Sequence, residues 1–456
     1  MRLCAATADS LPPSVARGDY DREGPAIGIV HFGIGAFHRA HQAWYTDQAL
    51  SAGECDWLIC GVSLRSRSVA EQLNPQDGLY TLTERSGDEA STRLIGSVRE
   101  VLFAPDHSAQ IVARIADPAC HIVSFTVTEK GYARGEGERL DLQRARASFY
   151  PLLARSLAMR RDAGLPGVTL LPCDNLANNG KVLGELMRQW LAAEDPLLGE
   201  WFSRECRVPS SMIDRIVPRT GTDDLDLLHS RIGMEDAGAV FTERFSQWVI
   251  EDDFAGPRPA WERHGAQLVG DVAPYETAKL RMLNGAHSLL AYCGLRAGNE
   301  FVHEAIADPD LRRLTDRLMR EEALPTIDAA AGQDLNDYAD DLIARFADPA
   351  LRHRLAQIAM DGTQKLPQRW LDTALSLQQR GMEFAAIRSG FEAWLWHIDD
   401  GRFVDDPLGE ELRRLMKLGG PDQVVAKCLD SDASSQALWP HYRSLLPALR
   451  QAHFNR

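Results

Sequence analysis

The stretch "AIGIVHFGIGAF", residues 26–37, decides the expected fold of this chain. Its first half is an apolar run rich in Ile and Val, which is typical of a buried strand, and a Gly-x-Gly turn follows at once. In doubly wound α/β domains, such a turn after the first strand lets the backbone approach the pyrophosphate of a dinucleotide. We therefore expect a cofactor to contact Gly33, Ile34, Gly35, Ala36 and Phe37.

The residues after this turn depart from the G-x-G-x-x-G pattern. His38 stands where the third glycine would be, so the turn alone is a weak signal, and a strand-to-helix turn without a cofactor stays equally open. His38, Arg39 and His41 begin a predicted helix, where positive groups suit an anion. The alternative is that these side chains only cap or solvate the turn.

The end of the second predicted strand, "WLICGVSL" (57–64), bears on the choice of cofactor. Folds that bind NAD usually place Asp or Glu after this strand to hold the ribose hydroxyls. Here Arg65, Ser66, Arg67 and Ser68 follow. Arginine would accept the 2′-phosphate of NADP, although arginines also stack on adenine. NAD and NADP therefore both stay open, with Arg65 and Arg67 as candidate contacts.

The rest of the chain predicts two domains. Two further apolar, β-branched runs, 121–128 and 167–175, alternate with helical stretches, which indicates a parallel sheet with helical crossovers. From about residue 276 the apolar residues recur almost wholly with helical spacing. We expect an α/β protein, with a Rossmann-type dinucleotide-binding domain over residues 1–275 and an α-helical domain over residues 276–456.

Composition and charge exclude several classes of function. The formal net charge of −15 disfavours binding to nucleic acid or an anionic membrane, and no uncharged apolar run reaches the length of a membrane helix. The eight cysteines are scattered, without the spacing of zinc ligands, so we expect no metal. With no apolar stretch at the N-terminus, the sequence predicts a cytoplasmic protein whose partner is a small molecule.

The segment "KLRMLNGAHS", 279–288, places polar groups in an otherwise apolar helical run. In a helix, Lys279, Leu283 and His287 would form one row, with Asn284 on a neighbouring strip. Oxidation of a secondary alcohol needs a base and donors for the developing alkoxide, and a buried lysine and an asparagine could supply them. Gly285 would allow close approach by a ligand or a neighbouring helix. The alternative is a snorkelling lysine beside a core histidine.

Two further segments carry candidate groups. "CDNLANNG", 173–180, closes the fourth predicted strand, and sites of α/β proteins lie at the carboxyl ends of strands. Asp174 and Asn175 are candidates there, whereas an Asn-rich turn explains Asn178 and Asn179 better. "MIDRIVP", 212–218, adds an Asp214–Arg215 pair that could equally be a structural ion pair.

Together these segments resemble the mannitol dehydrogenase family, the polyol-specific long-chain dehydrogenases and reductases. The resemblance runs from about residue 26 to the C-terminal helices, and the segments that carry it are "HFGIGAFHRAHQAWY", "TVTEKGY", "CDNLANNG", "MIDRIVP", "QWVIEDDF" and "KLRMLNGAHS". It implies a Rossmann domain, a helical substrate domain, a nicotinamide cofactor and chemistry without a metal. A dinucleotide-binding sensor that has lost catalysis is the alternative of another class.

The resemblance also implies roles for single residues. Lys279 resembles the family's catalytic lysine, and Asn175 and Asn284 look like the asparagines that hold the reacting oxygen. His287 would orient the substrate, and Asp214 would contact it.

Two other positions follow from the same resemblance. Glu129 of "TVTEKGY" resembles the glutamate near the proton exit, and Gly33 and Gly35 match the phosphate loop. One departure matters: NAD-using mannitol enzymes carry acidic residues where Arg67 and Ser68 stand here.

The segment 351–372, "LRHRLAQIAMDGTQKLPQRWLD", looks more like the mannonate/fructuronate branch than the mannitol branch. A hexonate carries a carboxylate that needs a cation. Lys365 and Arg369 flank Pro367, which would suit the first turn of a helix, and an arginine fork there could bind the carboxylate. Both side chains could instead simply coat a helix start. We expect an oxidoreductase that interconverts D-fructuronate and D-mannonate, with D-mannitol/D-fructose as the alternative.

Overall fold

The computed structural model describes residues 1–127, 129–135, 139–430 and 437–450. The chain divides into two compact units, Met1–Val272 and Ala273–Arg456. In the part of the chain just given, no helix combines the length and the apolar character that crossing a bilayer requires.

Within the described part of the first unit, the strands form three sheets. Their strands are β1 (Val15–Arg17), β2 (Ile27–Phe32), β3 (Leu58–Ser63), β4 (Tyr80–Ser86), β5 (Glu89–Ile95), β6 (Val98–Phe103), β7 (Ile122–Phe125), β8 (Thr169–Pro172), β9 (Ser211–Asp214), β10 (Val240–Glu243), β11 (Gln247–Glu251) and β12 (Gln267–Val269).

The central sheet is parallel and has the order β6-β3-β2-β7-β8. Renumbered along the chain, this is the 3-2-1-4-5 order of the doubly wound dinucleotide fold, and the order reverses between β2 and β7. Because successive side chains of a strand point to opposite faces, Val30 and Phe32 pack into one core and Ile29 into another. The predicted Rossmann-type fold is confirmed, and the four predicted strands β2, β3, β7 and β8 all lie in this sheet.

The other two sheets are absent from the sequence-based expectation. One has the order β1-β5-β4-β10 and contains an antiparallel hairpin in which Tyr80 lies opposite Ile95. The other has the order β12-β11-β9, with β9 and β11 antiparallel. Strand β5, "EASTRLI", begins with three exposed residues, so it lacks the apolar run by which a buried strand is recognised.

Helices cover both faces of the central sheet, as a parallel sheet requires. Helices α4, α6, α7 and α8 contribute to the core that holds Val30, and α2 contributes to the core that holds Ile29. The α-helices of this unit are α1 (Ala36–Ala40), α2 (Gln42–Ser51), α3 (Ser68–Leu73), α4 (Ala104–Ala116), α5 (Leu142–Arg146), α6 (Tyr150–Asp162), α7 (Asn179–Glu194), α8 (Pro196–Glu205) and α9 (Thr222–Ile232). Short 3₁₀ turns lie at Ala8–Ser10, Asn74–Gln76, Glu129–Tyr132 and Trp261–His264.

The second unit is helical, as predicted, around one large apolar core. Its α-helices are α10 (Ala273–Ala278), α11 (Gly285–Ala297), α12 (Val302–Ala307), α13 (Pro309–Arg317), α14 (Leu335–Phe346), α15 (Leu355–Ile358), α16 (Gly362–Leu366), α17 (Asp372–Gln379), α18 (Ala385–Asp400), α19 (Gly409–Leu429) and α20 (Leu446–Arg450). Short 3₁₀ turns lie at Leu324–Thr326 and Pro440–Leu445.

Three segments of this unit are π-helical: Lys279–Asn284, Leu318–Ala323 and Pro367–Leu371. Each directly continues an α-helix, and the first contacts both of the others. π-Helical turns are rare and occur often at functional sites.

Candidate functional site

The turn after β2 has the geometry of a phosphate loop. Gly33 has a φ of +100°, and a Cβ atom there would lie 2.3 Å from the carbonyl oxygen of Thr126, so only glycine fits. Gly35 precedes helix α1, and a Cβ there would meet nothing nearer than the Gly33 oxygen at 3.7 Å. A side chain would therefore fill open space above the turn, which a bare glycine leaves to a phosphate group.

Buried side chains hold this turn from below. The Thr126 hydroxyl donates to the Gly33 carbonyl at 2.7 Å and lies 2.8 Å from His31 Nε2. His31 Nδ1 lies 2.8 Å from the Ser124 hydroxyl, and burial lowers the pKa of His31 to about 3, which keeps the ring neutral. The sequence analysis missed His31, because inside a strand it carries no signal of its own.

The expectation that His38, Arg39 and His41 face an anion is wrong. His38 is fully buried, stacks on His31 with 3.4 Å between ring centroids, and burial lowers its pKa well below the usual value. Arg39 donates to the Gly238 carbonyl at 2.7 Å, and His41 lies 3.1 Å from the Gln247 carbonyl. Packing against the neighbouring strands explains these side chains, since helix α1 lies against the protein interior.

The two arginines after β3 differ in their surroundings. Arg67 forms two bonds with Asp106 in the first turn of α4, at 2.6 and 3.1 Å, and lies over the Phe103 ring. Arg65 is exposed and makes no hydrogen bond or ion pair to any residue that the structure describes. The free guanidinium beyond β3 is therefore that of Arg65, whereas Arg67 already has an acidic partner.

A cavity of about 250 Å³ opens at the carboxyl ends of the parallel strands. It is bounded by the turn after β2, the ends of β7 and β8, and strand β9. This is the place where open α/β sheets bind ligands. Its lining residues are Phe37, Thr126, Val127, Cys173, Asp174, Asn175, Leu176 and Ile213. The structure thus brings the predicted residues Phe37 and Asn175 to one cavity beside the phosphate turn.

Asp214 and Arg215 lie at the end of β9. Asp214 is buried, and its register partner in β11 is Gln247. Arg215 is not paired with its neighbour: it donates to Glu84 at 2.5 Å and to the Ala40 carbonyl at 2.6 Å. The suggested Asp214–Arg215 ion pair is therefore wrong, because adjacent side chains on a strand point to opposite faces.

For Glu129 the structure describes the backbone but not the side chain. Its backbone begins the 3₁₀ turn Glu129–Tyr132, and its side chain lies outside the described residues. Tyr132, at the other end of this turn, is fully buried.

In the second unit, the lysine segment is not one regular α-helix. Lys279 and Asn284 are the first and last residues of a π-helical segment, and α11 begins at Gly285. The predicted row of Lys279, Leu283 and His287 assumed 3.6 residues per turn, which a π-helical turn does not have. Both end residues are half-buried, and His287 is 8% exposed.

Gly285 permits a close contact between two helical segments. A Cβ atom there would lie 3.1 Å from the carbonyl oxygen of Arg369, and the Trp370 indole donates to the Gly285 carbonyl at 3.0 Å. Of the two roles expected for this glycine, approach by a neighbouring helix is therefore the observed one. The π-helical turn Pro367–Leu371 is held against the start of α11 as a result.

His287 lies among aromatic rings, with two arginines close enough to affect its pKa. Its ring lies 4.8 Å from that of Phe346 and 5.3 Å from that of His353, measured between centroids. Burial lowers the pKa of His287 well below its usual value, and His353, Arg345 and Arg369 lower it further. Burial therefore keeps this imidazole neutral, and burial lowers the pKa of His353 as well. His353 and Arg345 were missed by the sequence analysis.

Arg369 lies beside the lysine segment. Its Nη1 donates to the Ser288 hydroxyl at 2.8 Å and to the Asn284 carbonyl at 3.4 Å. Burial lowers its pKa to about 10. Lys365 donates to the Met360 carbonyl at 2.6 Å and lies 3.8 Å from Asp361, and burial lowers its pKa as well.

Pro367 between these two cations is not at a free helix start. It opens a π-helical turn that continues α16 directly. The expectation of a first helical turn is therefore wrong, and so is the alternative of two side chains coating a helix start, because Arg369 is anchored to α11. Among the described residues, no group of three or more His, Cys, Asp or Glu side chains could hold a metal ion.

Two family models match the chain. The mannitol dehydrogenase Rossmann domain matches residues 27–263, and the mannitol dehydrogenase C-terminal domain matches residues 271–433.

Individual proteins are similar over nearly the whole length. The D-mannonate oxidoreductase of Escherichia coli (strain K12) is 39% identical over 435 residues, which cover 90% of each protein. The mannitol 2-dehydrogenase of Phaeosphaeria nodorum is 37% identical over 86% of this chain and 74% of that protein. The structure of Pseudomonas fluorescens mannitol 2-dehydrogenase in a ternary complex with NAD and D-mannitol superposes with a TM-score of 0.85 at 33% identity, covering 99% of this chain and 96% of that one.

Proposed function

This chain belongs to the mannitol dehydrogenase family of nicotinamide-dependent oxidoreductases, and we propose that it interconverts a keto sugar acid and its hydroxy acid, D-fructuronate and D-mannonate. In this proposal the unit Met1–Val272 binds the dinucleotide and the unit Ala273–Arg456 binds the substrate. The similarity to a D-mannonate oxidoreductase supports the choice of substrate.

The main support for a sugar acid over a neutral polyol is Arg369, a half-buried cation without an acidic partner among the described residues. It forms no ion pair with any described residue, and no carboxylate is among the groups that shift its pKa. Desolvation lowers the pKa of Arg369, and a partly desolvated charge without a counter-charge is costly, so the position favours an anionic ligand.

The hydrogen bonds of Arg369 use only Nη1, so the edge of the guanidinium formed by Nε and Nη2 can still bind a ligand. Nη1 makes both bonds, to Ser288 and Asn284, while Nε and Nη2 make none to the described residues. Two parallel hydrogen bonds from such an edge bind a carboxylate well.

The remaining residues support hydride transfer. A bound nicotinamide dinucleotide accepts or supplies the hydride, and the turn Gly33–Phe37 would hold its phosphates. We assign to Lys279 Nζ the transfer of the hydroxyl proton and to the amides of Asn175 and Asn284 the binding of the reacting oxygen.

Four residues complete the proposed site. The neutral ring of His287 orients the substrate hydroxyls, and Asp214 contacts the substrate from β9. Lys365 adds charge near Arg369. Glu129 takes the released proton toward solvent.

For the cofactor, we propose that NADP is accepted as well as NAD. No acidic residue follows β3 to repel a 2′-phosphate, and Arg65 is exposed there without an ionic partner among the described residues. Arg67 is less suited to that contact, because Asp106 already neutralises it.

A panel of substrates tests the proposal. The purified protein would be assayed with NADH and NADPH on D-fructuronate, D-tagaturonate and D-fructose, and in the other direction on D-mannonate and D-mannitol. We expect kcat/KM for D-fructuronate to exceed that for D-fructose by about 100-fold or more, the worth of one charge-assisted bidentate contact. A higher value on fructose and mannitol would replace the sugar acid with a polyol, and no turnover with any member would overturn the assignment.

A further inference from the structure

The sequence segments "TVTEKGY" and "CDNLANNG" meet through the buried Tyr132 and the half-buried Asp174, to which the proposed reaction assigns no role. The Tyr132 hydroxyl donates a hydrogen bond to Asp174 Oδ2, joining the 3₁₀ turn after β7 to the loop after β8. The Leu176 N–H donates to the other carboxylate oxygen at 3.2 Å. The Tyr132 carbonyl accepts from the Tyr150 hydroxyl at 2.9 Å, so this tyrosine is held from both ends.

A second set of bonds extends from Asp174 to β9. Asn179 is fully buried, and its Nδ2 donates to the Asp174 carbonyl at 3.2 Å and to the Ser211 carbonyl at 2.9 Å. Its Oδ1 accepts from the Ser211 N–H at 3.0 Å. The Ser211 hydroxyl in turn donates to the Pro172 carbonyl at 2.5 Å. Asn179 is therefore a bridge between β8 and β9 rather than an ordinary turn residue.

Asp174, Tyr132 and Ser211 each lie on the same short segment as a residue of the proposed site. Asp174 directly precedes Asn175, Tyr132 ends the turn that Glu129 begins, and Ser211 begins the strand that Asp214 ends. Three site residues of the proposed reaction thus lie on three chain segments, and one hydrogen-bonded network joins all three.

We propose that Tyr132, Asp174 and Asn179 form a positioning network that fixes Asn175 for the reacting oxygen; this inference rests on the proposed function. A catalytic amide must be held to about 0.5 Å, and residues on loops reach that precision only when neighbouring side chains lock them. A half-buried carboxylate such as Asp174, which accepts several hydrogen bonds, supplies a rigid anchor, because charge-assisted bonds are stronger than neutral ones. Tyr132 and Asn179 are not among the residues that line the cavity, and Asp174, which lines it, acts in this role through its bonds to Tyr132 and Leu176.

The network predicts a split between turnover and cofactor binding. In Tyr132→Phe the ring stays and only the bond to Asp174 is lost. We expect kcat to fall about 10- to 100-fold, as expected for a misplaced catalytic group, while the Kd for NADH changes by less than about twofold. Asp174→Asn, which keeps the size of the side chain, should have the same effect and tests the network independently if Tyr132→Phe does not fold.

Tyr20→Phe is a matched control. The Tyr20 hydroxyl also bonds an aspartate, Asp47, at 2.6 Å, but in the N-terminal segment. This variant should keep its kcat even if its melting temperature falls. An equal loss of kcat in Tyr20→Phe and Tyr132→Phe would show a general effect of losing a buried hydrogen bond, and the positioning role would be overturned.

A double-mutant cycle separates this inference from the proposed function. Asn175→Ala should abolish most turnover, and adding Tyr132→Phe should lower kcat no further, because the tyrosine acts through the amide. If Asn175→Ala is fully active, the proposed site is wrong. If Asn175→Ala is inactive while Tyr132→Phe keeps its kcat, or if the two losses multiply, the network has no positioning role and the proposed function stands.

Discussion

Arg369 Nη1 lies 2.8 Å from the hydroxyl oxygen of Ser288, and this bond joins the π-helical turn Pro367–Leu371 to helix α11. The same nitrogen reaches the Asn284 carbonyl, so the guanidinium is fixed beside the segment that carries the proposed lysine base. The proposed contact between this guanidinium and the carboxylate of a sugar acid therefore has a defined position, and substitution of Arg369 tests it.

Replacement of Arg369 by methionine should separate acidic from neutral substrates. We expect kcat/KM for the sugar acid to fall about 100- to 1000-fold, the usual loss when one partner of a desolvated charge pair is removed, with little change for a neutral keto sugar. For Arg369→Lys we expect a kcat/KM for the sugar acid between those of the native protein and Arg369→Met, since lysine keeps the charge but cannot donate two parallel hydrogen bonds. Steady-state kinetics on D-fructuronate and D-fructose measure this. An equal effect on both substrates would contradict the assignment.

The same substitution should not destabilise the ligand-free protein. Because the half-buried guanidinium has no acidic partner among the described residues, an apolar side chain of similar length should leave the melting temperature unchanged or raise it. Differential scanning calorimetry with and without D-mannonate checks this. The acid should raise the melting temperature of the native protein and not that of the variant; a large loss of stability without ligand would refute this reasoning.

Lys279→Ala should remove turnover and spare cofactor binding. A general base contributes about 100- to 10,000-fold to the rate, so we expect a loss of this order in kcat. The Kd for NADH, measured by fluorescence, should change little. Lys417→Ala, at an exposed position of α19, is the control and should be fully active. Retained turnover in Lys279→Ala would exclude the lysine as the acid and base.

The two glycines of the phosphate turn should respond differently to alanine. Gly33→Ala forces a Cβ atom to 2.3 Å from the Thr126 oxygen at a φ of +100°, so we expect a loss of about 1–3 kcal/mol in the free energy of unfolding. Gly35→Ala meets no such obstacle and should keep its stability while binding NADH about tenfold more weakly. Urea unfolding and cofactor titration distinguish them. Equal stability of both variants would contradict the role of Gly33.

The arginines after β3 should contribute unequally to cofactor choice. Arg65→Ser should lower kcat/KM with NADPH about tenfold and leave NADH nearly unchanged, since only NADPH carries the 2′-phosphate. Arg67→Ser frees Asp106, which would then repel the 2′-phosphate and favour NADH. Kinetics with both cofactors test this, and a larger loss with NADH than with NADPH in Arg65→Ser would exclude the contact.

Buried histidines should make the fold sensitive to acid. Burial lowers the pKa of His31 to about 3 and that of His397 to about 4, below the value of about 6.5 in an unfolded chain. Between pH 6.5 and 4 the unfolded chain therefore binds protons that the folded chain does not, so stability is lost as the pH falls. Each such histidine contributes a slope of about 1.4 kcal/mol per pH unit.

Urea unfolding at several pH values checks this sign. His397→Gln should make the slope less steep, whereas His229→Gln, at an exposed position, should leave it unchanged. A stability that rises on acidification over this range would contradict the direction of these pKa shifts.

The sequence by itself determined the α/β class, four of the five strands of the central sheet, the helical second half and the family; β6 was not predicted. These features depend on local patterns: an apolar β-branched run before Gly33, helical spacing after residue 276, and short motifs in a fixed order. The hairpin of β4 and β5 was not predicted. The first three residues of β5 are exposed, so this strand lacks the apolar run by which a buried strand is recognised.

Only the tertiary structure decided which polar groups meet. Ser288 and Arg369 are separated by 81 positions, and Asp174 and Tyr132 by 42, and nothing local to either residue of a pair specifies the other. The π-helical turn at Lys279–Asn284 is also a product of packing, because its sequence favours an ordinary helix. Local spacing fixes the direction of a side chain on its own element, whereas its partner depends on how distant elements pack together.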